Sequence, residues 1–381
     1  MPSQPSPFEL LPNELLDQII SLISTPPPSL NGLHKPPNTN IISSKTRDLK
    51  YLSRTCSRFL NLVRPLLFAH SCFNVKDVDG YLSFISKSDL AHKVTSIVVI
   101  GKDSPESRED PLWWRRVLGS IDPLRITVVA PPLFIGAMLG MKIMDGHSWA
   151  FEISSQILHL ERNRRTSGPT TALRTDGTPS LLDARPWSSM LFNESSSLKA
   201  YNHYEYFLFL VPSLFTSWGT VATSDSQLDV SRLSMSLQNI TSFTYVAVFP
   251  FYNHVKLVQD AVGLMKNLQT LIIRLGPSRN DRITEIEQRG SMDPSDPWME
   301  LATGYSLIAH DVRDSGNMGR LEKFIACDYE FDALRAELSS ILGDMLEQGG
   351  WAHDDNGTWI KKPVKTVTCE DNSLARVEDA A

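Results

Sequence analysis

Hydrophobic residues recur at helical spacing in two stretches near the N-terminus. Between Phe8 and Ile23, the apolar residues Leu11, Leu15, Ile19 and Leu22 follow one another at intervals of four, four and three, which predicts an amphipathic helix. A second helix is predicted over 48–63 from another apolar stripe, formed by Leu49, Leu52, Cys56, Phe59, Leu60 and Val63. Pro65 should end this second helix. A proline-rich stretch, 24–46, separates the two helical patterns.

The pattern then changes to short runs of β-branched and other apolar residues, at 94–100, 124–129, 240–246, 268–275 and 321–327. Helical patterns at 112–118, 255–265 and 332–348 lie between these runs. The run at 268–275 has the form L-x-x-L-x-I-x-L, which is close to the strand of a leucine-rich repeat. It starts 28 residues after Ile240, inside the usual repeat length, whereas Leu321 follows 53 residues after Leu268. We therefore predict an irregular, leucine-rich-repeat-like α/β region over 76–363, with an ordinary α/β layer protein as the alternative.

Turn-forming residues divide this region further. The segments 164–179 and 277–297 are polar or broken by prolines, and we expect both to form exposed loops. Asn356-Gly357 lies between Trp351 and Trp359, which predicts a β-hairpin. The ends of the sequence, 1–7 and 364–381, are polar, and we expect a disordered tail at the first and a flexible tail at the second.

Composition and charge narrow the function. The 381 residues are 41% hydrophobic, which is enough for sizeable cores, and the net charge of −6 argues against a general nucleic-acid or anionic-membrane binder. The four cysteines are too few and too scattered for a disulfide framework or a zinc cluster. The longest apolar run, 126–141, is interrupted by Pro131-Pro132, so we interpret it as a buried strand followed by a buried helix. With no secretory pattern at Met1–Pro7, the expected location is the cytosol, the nucleus or both.

Candidate catalytic groups are sparse. The sequence has no phosphate-binding loop, dinucleotide glycine pattern, nucleophile elbow or zinc-protease motif. His353-Asp354-Asp355 falls at the predicted hairpin turn, which favours solvated turn chemistry over metal binding. His203 lies among three tyrosines, where buried packing is favoured over an aromatic pocket; these are Tyr201, Tyr204 and Tyr206. We therefore assign no catalytic residue, metal or cofactor. An enzyme whose site is assembled from residues distant in sequence stays open as an alternative.

Three blocks near the N-terminus resemble an F-box. The block 11–22 (LPNELLDQIISL) resembles its opening, and 49–59 (LKYLSRTCSRF) resembles its second half. The block 62–68 (LVRPLLF) resembles the ending common in filamentous-fungal members of the family. The resemblance covers residues 8–73. It departs from the family pattern in the inserted loop 24–46, which we expect to bulge out of the fold because loop closure entropy grows only slowly with length.

The resemblance implies a fold, a partner and a function. The chain is then an α+β protein whose helical F-box module docks on the Skp-type adaptor of a cullin–RING ubiquitin ligase. The C-terminal region then presents a protein substrate for ubiquitination, without catalysis of its own and without nucleic acid or membrane as partner. By family position the adaptor-binding residues are Leu11, Pro12, Leu15, Leu16, Ile19, Leu52, Cys56 and Phe59. Ordinary packing inside the module is the alternative for each, evenly balanced for Leu16. The substrate-binding residues are unknown, and a protein-interaction scaffold outside a ligase is the alternative function.

Overall fold

The computed structural model describes residues 10–23, 27–37, 47–102, 109–144, 146–163, 179–278, 291–317 and 320–362. Within these ranges the chain begins with a small helical module and continues as one sheet with helices between its strands. The helices, in chain order, are α1 (Asn13–Ser21), α2 (Arg47–Leu52), α3 (Ser57–Phe68), α4 (Val78–Lys87), α5 (Trp113–Ser120), α6 (Pro132–Met138), α7 (Ser148–Phe151), α8 (Leu214–Ala222), α9 (Gln227–Leu237), α10 (Tyr252–Val262), α11 (Asp296–Asn317) and α12 (Asp332–Gln348). None of the described helices is both long and apolar enough to cross a membrane.

The sheet has ten strands in the order β1-β2-β3-β4-β5-β6-β7-β8-β10-β9. The strands are β1 (His70–Asn74), β2 (Ser96–Ile100), β3 (Arg125–Ala130), β4 (Gln156–Glu161), β5 (Ser189–Ser196), β6 (Ser242–Val248), β7 (Thr270–Arg274), β8 (Lys323–Ala326), β9 (Trp351–His353) and β10 (Thr358–Lys361). β1 to β3 pair in parallel, as do β5 to β8. β4 runs antiparallel between β3 and β5, and β10 pairs antiparallel with both β8 and β9.

The main core lies between the helices and one face of the sheet. Alternate strand residues point into it because successive side chains in a strand face opposite sides. Ile97 and Val99 of β2, for example, are fully buried in this core, and so are Phe243 and Tyr245 of β6. The coarse prediction of a mixed helix and strand fold is confirmed, while the leucine-rich-repeat character stays a prediction.

The opposite face of the sheet is covered by part of the predicted inserted loop. Residues 27–37, which include a short 3₁₀ helix at Pro28–Gly32, lie across this face. Leu33 is buried against four apolar side chains, those of Val98, Val129, Ile157 and Leu191. β2 is therefore buried along its whole length, on the helix side and on this side. The expectation that the insertion bulges out is wrong for 27–37, because Leu30 and Leu33 have an apolar surface to cover.

Many sequence predictions agree with the structure. The five predicted strands correspond to β2, β3, β6, β7 and β8, and the helical patterns at 112–118, 255–265 and 332–348 correspond to α5, α10 and α12. The run 126–141 is a buried strand, β3, followed by the largely buried helix α6. The hairpin at Asn356-Gly357 is confirmed, since β9 and β10 pair antiparallel and Gly357 has a φ of +78°.

Other predictions need correction. The single helix over 48–63 is two helices, α2 and α3, since the hydroxyls of Ser53 and Thr55 donate to backbone carbonyls of α2 and compete with its continuation. α3 continues past Pro65 to Phe68, because Leu66 and Leu67 pack on the module's apolar cluster.

The predicted boundaries also move. β1 belongs to the sheet, although the F-box resemblance extended to 73 and the second region was predicted to start at 76. The predicted loop 277–297 ends earlier, with Met292 buried and α11 starting at Asp296. The tails 1–7 and 364–381, the loop 164–178, and residues 24–26 and 38–46 of the insertion lie outside the described residues.

Candidate functional site

The three N-terminal helices form a small core of their own. Leu16 and Ile20 of α1 meet Leu49 of α2 and Phe59 and Val63 of α3, and all five side chains are buried. Arg58 of α3 fastens the start of α1, because its guanidinium donates to the carbonyl oxygen of Leu11 (2.5 Å) and to Oδ1 of Asn13 (2.8 Å). The helices predicted from the F-box blocks therefore pack as one unit.

The eight predicted adaptor-binding residues divide into three groups. Leu16 (0% exposed) and Phe59 (4%) belong to the module core, so for these two the alternative of internal packing describes the structure. Three others are half-buried beside that core, namely Leu11, Leu52 and Cys56. Pro12, Leu15 and Ile19 are exposed. The side chains available to a partner therefore lie mainly on the outer side of α1.

This outer side of α1 is an apolar stripe. Leu15 is 46% exposed, Ile19 37%, Leu22 85% and Ile23 38%. Leu15 and Ile19 lie one turn apart on α1, and Leu22 and Ile23 follow directly after its last residue, Ser21. We call these four side chains the outer stripe. Leu22 and Ile23 were missed as site residues, although their spacing of three and four from Ile19 was visible in the sequence.

The segment 27–37 is fixed to the sheet by polar contacts as well as by Leu33. Asn193 of β5 donates from Nδ2 to the carbonyl oxygens of Leu33 (2.7 Å) and Lys35 (2.9 Å). Burial and the charge of Arg274 lower the pKa of His34. Arg64 of α3 also donates to Oγ of Ser88 (2.7 Å), at the end of α4, so the chain on each side of α2 contacts parts of the fold outside the module.

On the helix side of β5, Glu194 has the chemistry of an acid–base site but lies in an enclosed position. Its carboxylate lies 2.9 Å from Nε2 of His254 (α10) and accepts a hydrogen bond from the hydroxyl of Tyr245 (β6). Burial opposes its ionisation, but His254 and the hydroxyls of Ser213 and Tyr245 outweigh it and lower the pKa of Glu194. Glu194 and His254 are only 2% and 3% exposed. The cluster joins β5, β6 and α10, and it does not line the cleft described below.

A second enclosed carboxyl holds the loops after β7 and β8. Oδ2 of Asp328 accepts hydrogen bonds from the backbone N–H of Leu275 (2.7 Å), from that of Gly276 (3.1 Å) and from the hydroxyl of Tyr305 (2.5 Å). Burial raises the pKa of Asp328 despite these donors. Its role in the fold is to fix the carboxyl end of β7, where the chain turns toward α11.

Aromatic rings gather at the edge of the sheet where β3 and β5 end. His147 stacks on Phe209 at a ring distance of 5.0 Å, and Trp149 contacts His203 edge-on at 4.8 Å and Phe209 at 5.6 Å. Trp149 is 61% exposed and Tyr204 94% exposed. The interpretation of His203 and its tyrosines as buried packing is therefore correct for Tyr201 but wrong for His203, which is half-exposed, and for Tyr204.

A cleft of about 340 Å³ opens beside Trp149. Its walls carry three prolines, two of them at the start of α6 and one before α8: Pro131, Pro132 and Pro212. Further apolar side chains on the two adjoining loops are exposed, namely Leu133, Met144, Phe207, Leu208 and Leu210. Exposed apolar surface of this kind, beside a cleft, is typical of a site that binds another molecule.

The remaining candidate from the sequence, His353-Asp354-Asp355, is a turn. Oδ1 of Asp354 accepts hydrogen bonds from the N–H of Asn356 (3.0 Å) and of Thr358 (2.9 Å), and His353 stacks on Trp359 at 4.3 Å. The interpretation as turn chemistry is confirmed by these contacts. Among the residues that the structure describes, no group of three or more metal-ligating side chains comes together.

Comparisons with protein-family models, with curated proteins and with solved structures each found no match. The F-box resemblance therefore depends on the three sequence blocks and on the residues of the helical module.

Proposed function

We propose that this protein is a non-catalytic F-box-type substrate receptor, which docks through its N-terminal module on the Skp-type adaptor of a cullin–RING ubiquitin ligase. The observation that carries the proposal is that the apolar face of α1 is wider than the module core covers. Leu16 and Ile20 fill the module core, while the outer stripe faces solvent. A short helix that covered only its own core would need a narrower apolar face, so the exposed part favours a partner.

The rest of the chain suits a receptor more than an enzyme. The titratable groups with the strongest catalytic character, Glu194 with His254 and Asp328 with Tyr305, hold structural elements together and are enclosed. The cleft and the exposed apolar side chains beside it belong to residues 131–212, far along the sequence from α1. Ubiquitin transfer would then depend on proximity, since a receptor raises the effective concentration of substrate lysines near a conjugating enzyme that other subunits supply. Such a receptor works where cullin ligases work, in the cytosol or the nucleus.

The test is co-purification of the full chain with a Skp-type adaptor, comparing wild type with the double variant Leu15→Asp/Ile19→Asp. Two half-exposed aliphatic side chains buried at an interface contribute about 2 kcal/mol together, or roughly thirtyfold in affinity, and new carboxylates add to the loss. Leu228→Asp is the matched control, since Leu228 is an 85% exposed leucine on another helix, α9. Its adaptor binding should equal that of wild type.

Each outcome separates the alternatives. Wild type that does not bind the adaptor overturns the F-box proposal. Binding that survives Leu15→Asp/Ile19→Asp removes the outer stripe from the interface. Adaptor binding without any cullin in the co-purified complex favours the interaction scaffold instead of the ligase receptor.

A further inference from the structure

The exposed aromatic surface beside Trp149 continues along the edge of the sheet to the start of α11. The side chain of Asn253 donates to the carbonyl oxygen of Phe207 (3.1 Å), and the N–H of Tyr252 donates to Oε2 of Glu300 (2.6 Å). These contacts join the loop after β5 to the start of α10 and to α11. We call the side chains along this path the carboxyl-edge surface: the exposed Trp149, Tyr204, Phe207, Tyr252, Trp298 and Met299, with the exposed Asp293 and the half-buried Asp296.

The position of this surface follows from the direction of the strands. β3, β5, β6 and β7 run parallel to one another, so their carboxyl ends meet at one edge. The connections that leave these ends carry Trp149 in α7, Phe207 in the segment after β5, Tyr252 at the start of α10 and Trp298 in α11. The face of the sheet itself is less available, because residues 27–37 cover it at β2 to β5.

One end of the carboxyl-edge surface is acidic. Burial raises the pKa of the Tyr206 hydroxyl to about 12, and the carboxyl groups of Asp296, Glu300 and Asp293 add to the rise. Hydrogen bonds from Ser295 lower the pKa of Asp293, which is therefore ionised at neutral pH. Among the described residues, no lysine or arginine lies within 4.0 Å of any of these three carboxyl groups. Within the described residues, no lysine or arginine pairs with this negative charge.

The other end is apolar and concave. The 340 Å³ cleft lies against Trp149, and its proline walls and Ile153 offer no charge except that of Glu152. Glu152 lies 3.3 Å from Nζ of Lys199, so its charge has a partner. The surface thus offers an apolar pocket and exposed aromatic faces beside carboxyl groups that no lysine or arginine of the described ranges pairs with.

We propose that the carboxyl-edge surface binds a basic segment of a protein substrate, in which a lysine or arginine is flanked by apolar residues. This inference rests on the proposed receptor function, since it names the substrate class. The cationic side chain would lie against Asp293 and Asp296 and over an exposed aromatic face, where cation–π attraction adds to the ion pair. An apolar neighbour would fill the cleft beside Trp149. A second copy of this chain is a poorer occupant, because a self-complementary contact would bring the same carboxylates together.

The test uses the full chain without adaptor and two immobilised pools of degenerate nonapeptides. One pool has a fixed central arginine and the other a fixed central glutamate, with the same apolar residues allowed at the flanking positions. Wild type should be retained at least tenfold more strongly by the arginine pool, and the retention should fall as salt is raised from 50 to 300 mM, in keeping with a screened charge interaction on the scale of ~10 Å at ~0.1 M.

Two variants locate the binding. Asp293→Asn/Asp296→Asn removes both charges while keeping the size of the side chains, and it should lower retention by the arginine pool at least fivefold. Asp225→Asn/Asp229→Asn is the matched control, since these two aspartates are exposed just before and at the start of α9, and it should leave retention unchanged. Trp149→Ala should also lower retention, while the glutamate pool should respond to neither change.

The proposal is overturned if wild type retains the two pools equally or retains neither, if the control pair weakens retention as much as Asp293→Asn/Asp296→Asn, or if Trp149→Ala has no effect. Adaptor co-purification, measured separately, distinguishes the two proposals. A chain that binds the adaptor but neither pool keeps its proposed function and loses this substrate class, whereas the reverse result removes the ligase role and leaves a peptide-binding surface.

Discussion

Replacing His254 by alanine should be one of the most damaging single changes in the sheet region. His254 is 3% exposed and lies 2.9 Å from both carboxylate oxygens of Glu194, which is 2% exposed. Removing a hydrogen-bond partner of a buried polar group costs about 1–3 kcal/mol, and more when the group left behind is charged. The hydroxyls of Tyr245 and Ser213 remain to donate to Glu194, so we expect a cost of about 3 kcal/mol at pH 7.5.

The stability lost in His254→Ala should also depend on pH. In the wild type the pKa of Glu194 is lowered, so its contribution to stability is present above the unfolded value of about 4.3 and is lost as the pH falls below it. Without His254, burial dominates and the pKa of Glu194 rises above that value. Protonation then relieves the unpaired charge, so the cost of His254→Ala should shrink by about 1 kcal/mol or more between pH 7.5 and pH 5.

The assay is urea unfolding of the full chain, followed by circular dichroism at the two pH values. His92→Ala is the control, since His92 is an exposed histidine and should change the free energy of unfolding by less than about 0.5 kcal/mol. His254→Ala could instead lower the free energy of unfolding by less than about 1 kcal/mol at pH 7.5, or by the same amount at both pH values. Either result would show that His254 does not stabilise the ionised form of Glu194.

Two further changes test packing. A Cβ at Gly219 of α8 would lie 2.6 Å from both Cβ and the carbonyl oxygen of Leu257 in α10, so Gly219→Ala should lower stability by about 1–3 kcal/mol in thermal unfolding. Gly343→Ala, in the interior of α12 with no atom within 4 Å of the new Cβ, should raise the stability by about 0.5–1 kcal/mol. Stability changes of the same sign in the two variants would contradict the expected clash at Gly219. Leu33→Ala should lower the free energy of unfolding in urea by about 2–5 kcal/mol. Leu30→Ala, at a partly buried position, is the comparison. An equal or larger loss in Leu30→Ala would mean that Leu33 is not the main contact between the segment 27–37 and the sheet.

Strands with strong apolar patterns were predictable, and strands with polar residues were not. β4 (QILHLE) and β5 (SMLFNESS) escaped prediction because their polar side chains are satisfied by partners far away in sequence. His159 of β4 lies opposite Thr127 of β3, 2.8 Å from its Oγ1, and burial with the charge of Arg125 lowers the pKa of His159 to about 4. A neutral histidine inside a sheet has no signature of its own in the sequence, since the same residue on a surface has the same neighbours along the chain.

The candidate sites, too, were predictable only in part from the sequence. The periodicity predicted one apolar face through Leu11, Leu15, Ile19 and Leu22, but only the packing of α1 on α3 shows that Leu16 and Ile20 turn inward and that Leu15, Ile19 and Leu22 are exposed. The carboxyl-edge surface could not be predicted, because its members come from four separate connections between strands, which the order of the strands brings together. Only the tyrosines around His203 drew attention in the sequence, and they account for part of it.

The inserted loop is where the structure differs most from the sequence prediction, because residues 27–37 pack on the sheet. This difference bears on the proposed function. As an exposed bulge, the loop would leave the helical module and the sheet to move independently. Instead, Leu33 and the two bonds from Asn193 fasten residues 27–37 to the sheet, while α3 continues directly into β1. The chain on each side of α2 is thus tied to the same sheet, which limits the freedom of the module relative to it. On the proposed function, ubiquitin transfer by proximity would gain from such a limit, because a substrate held at the carboxyl edge would sample a narrower range of positions relative to the adaptor, and its lysines would be presented at a higher effective concentration.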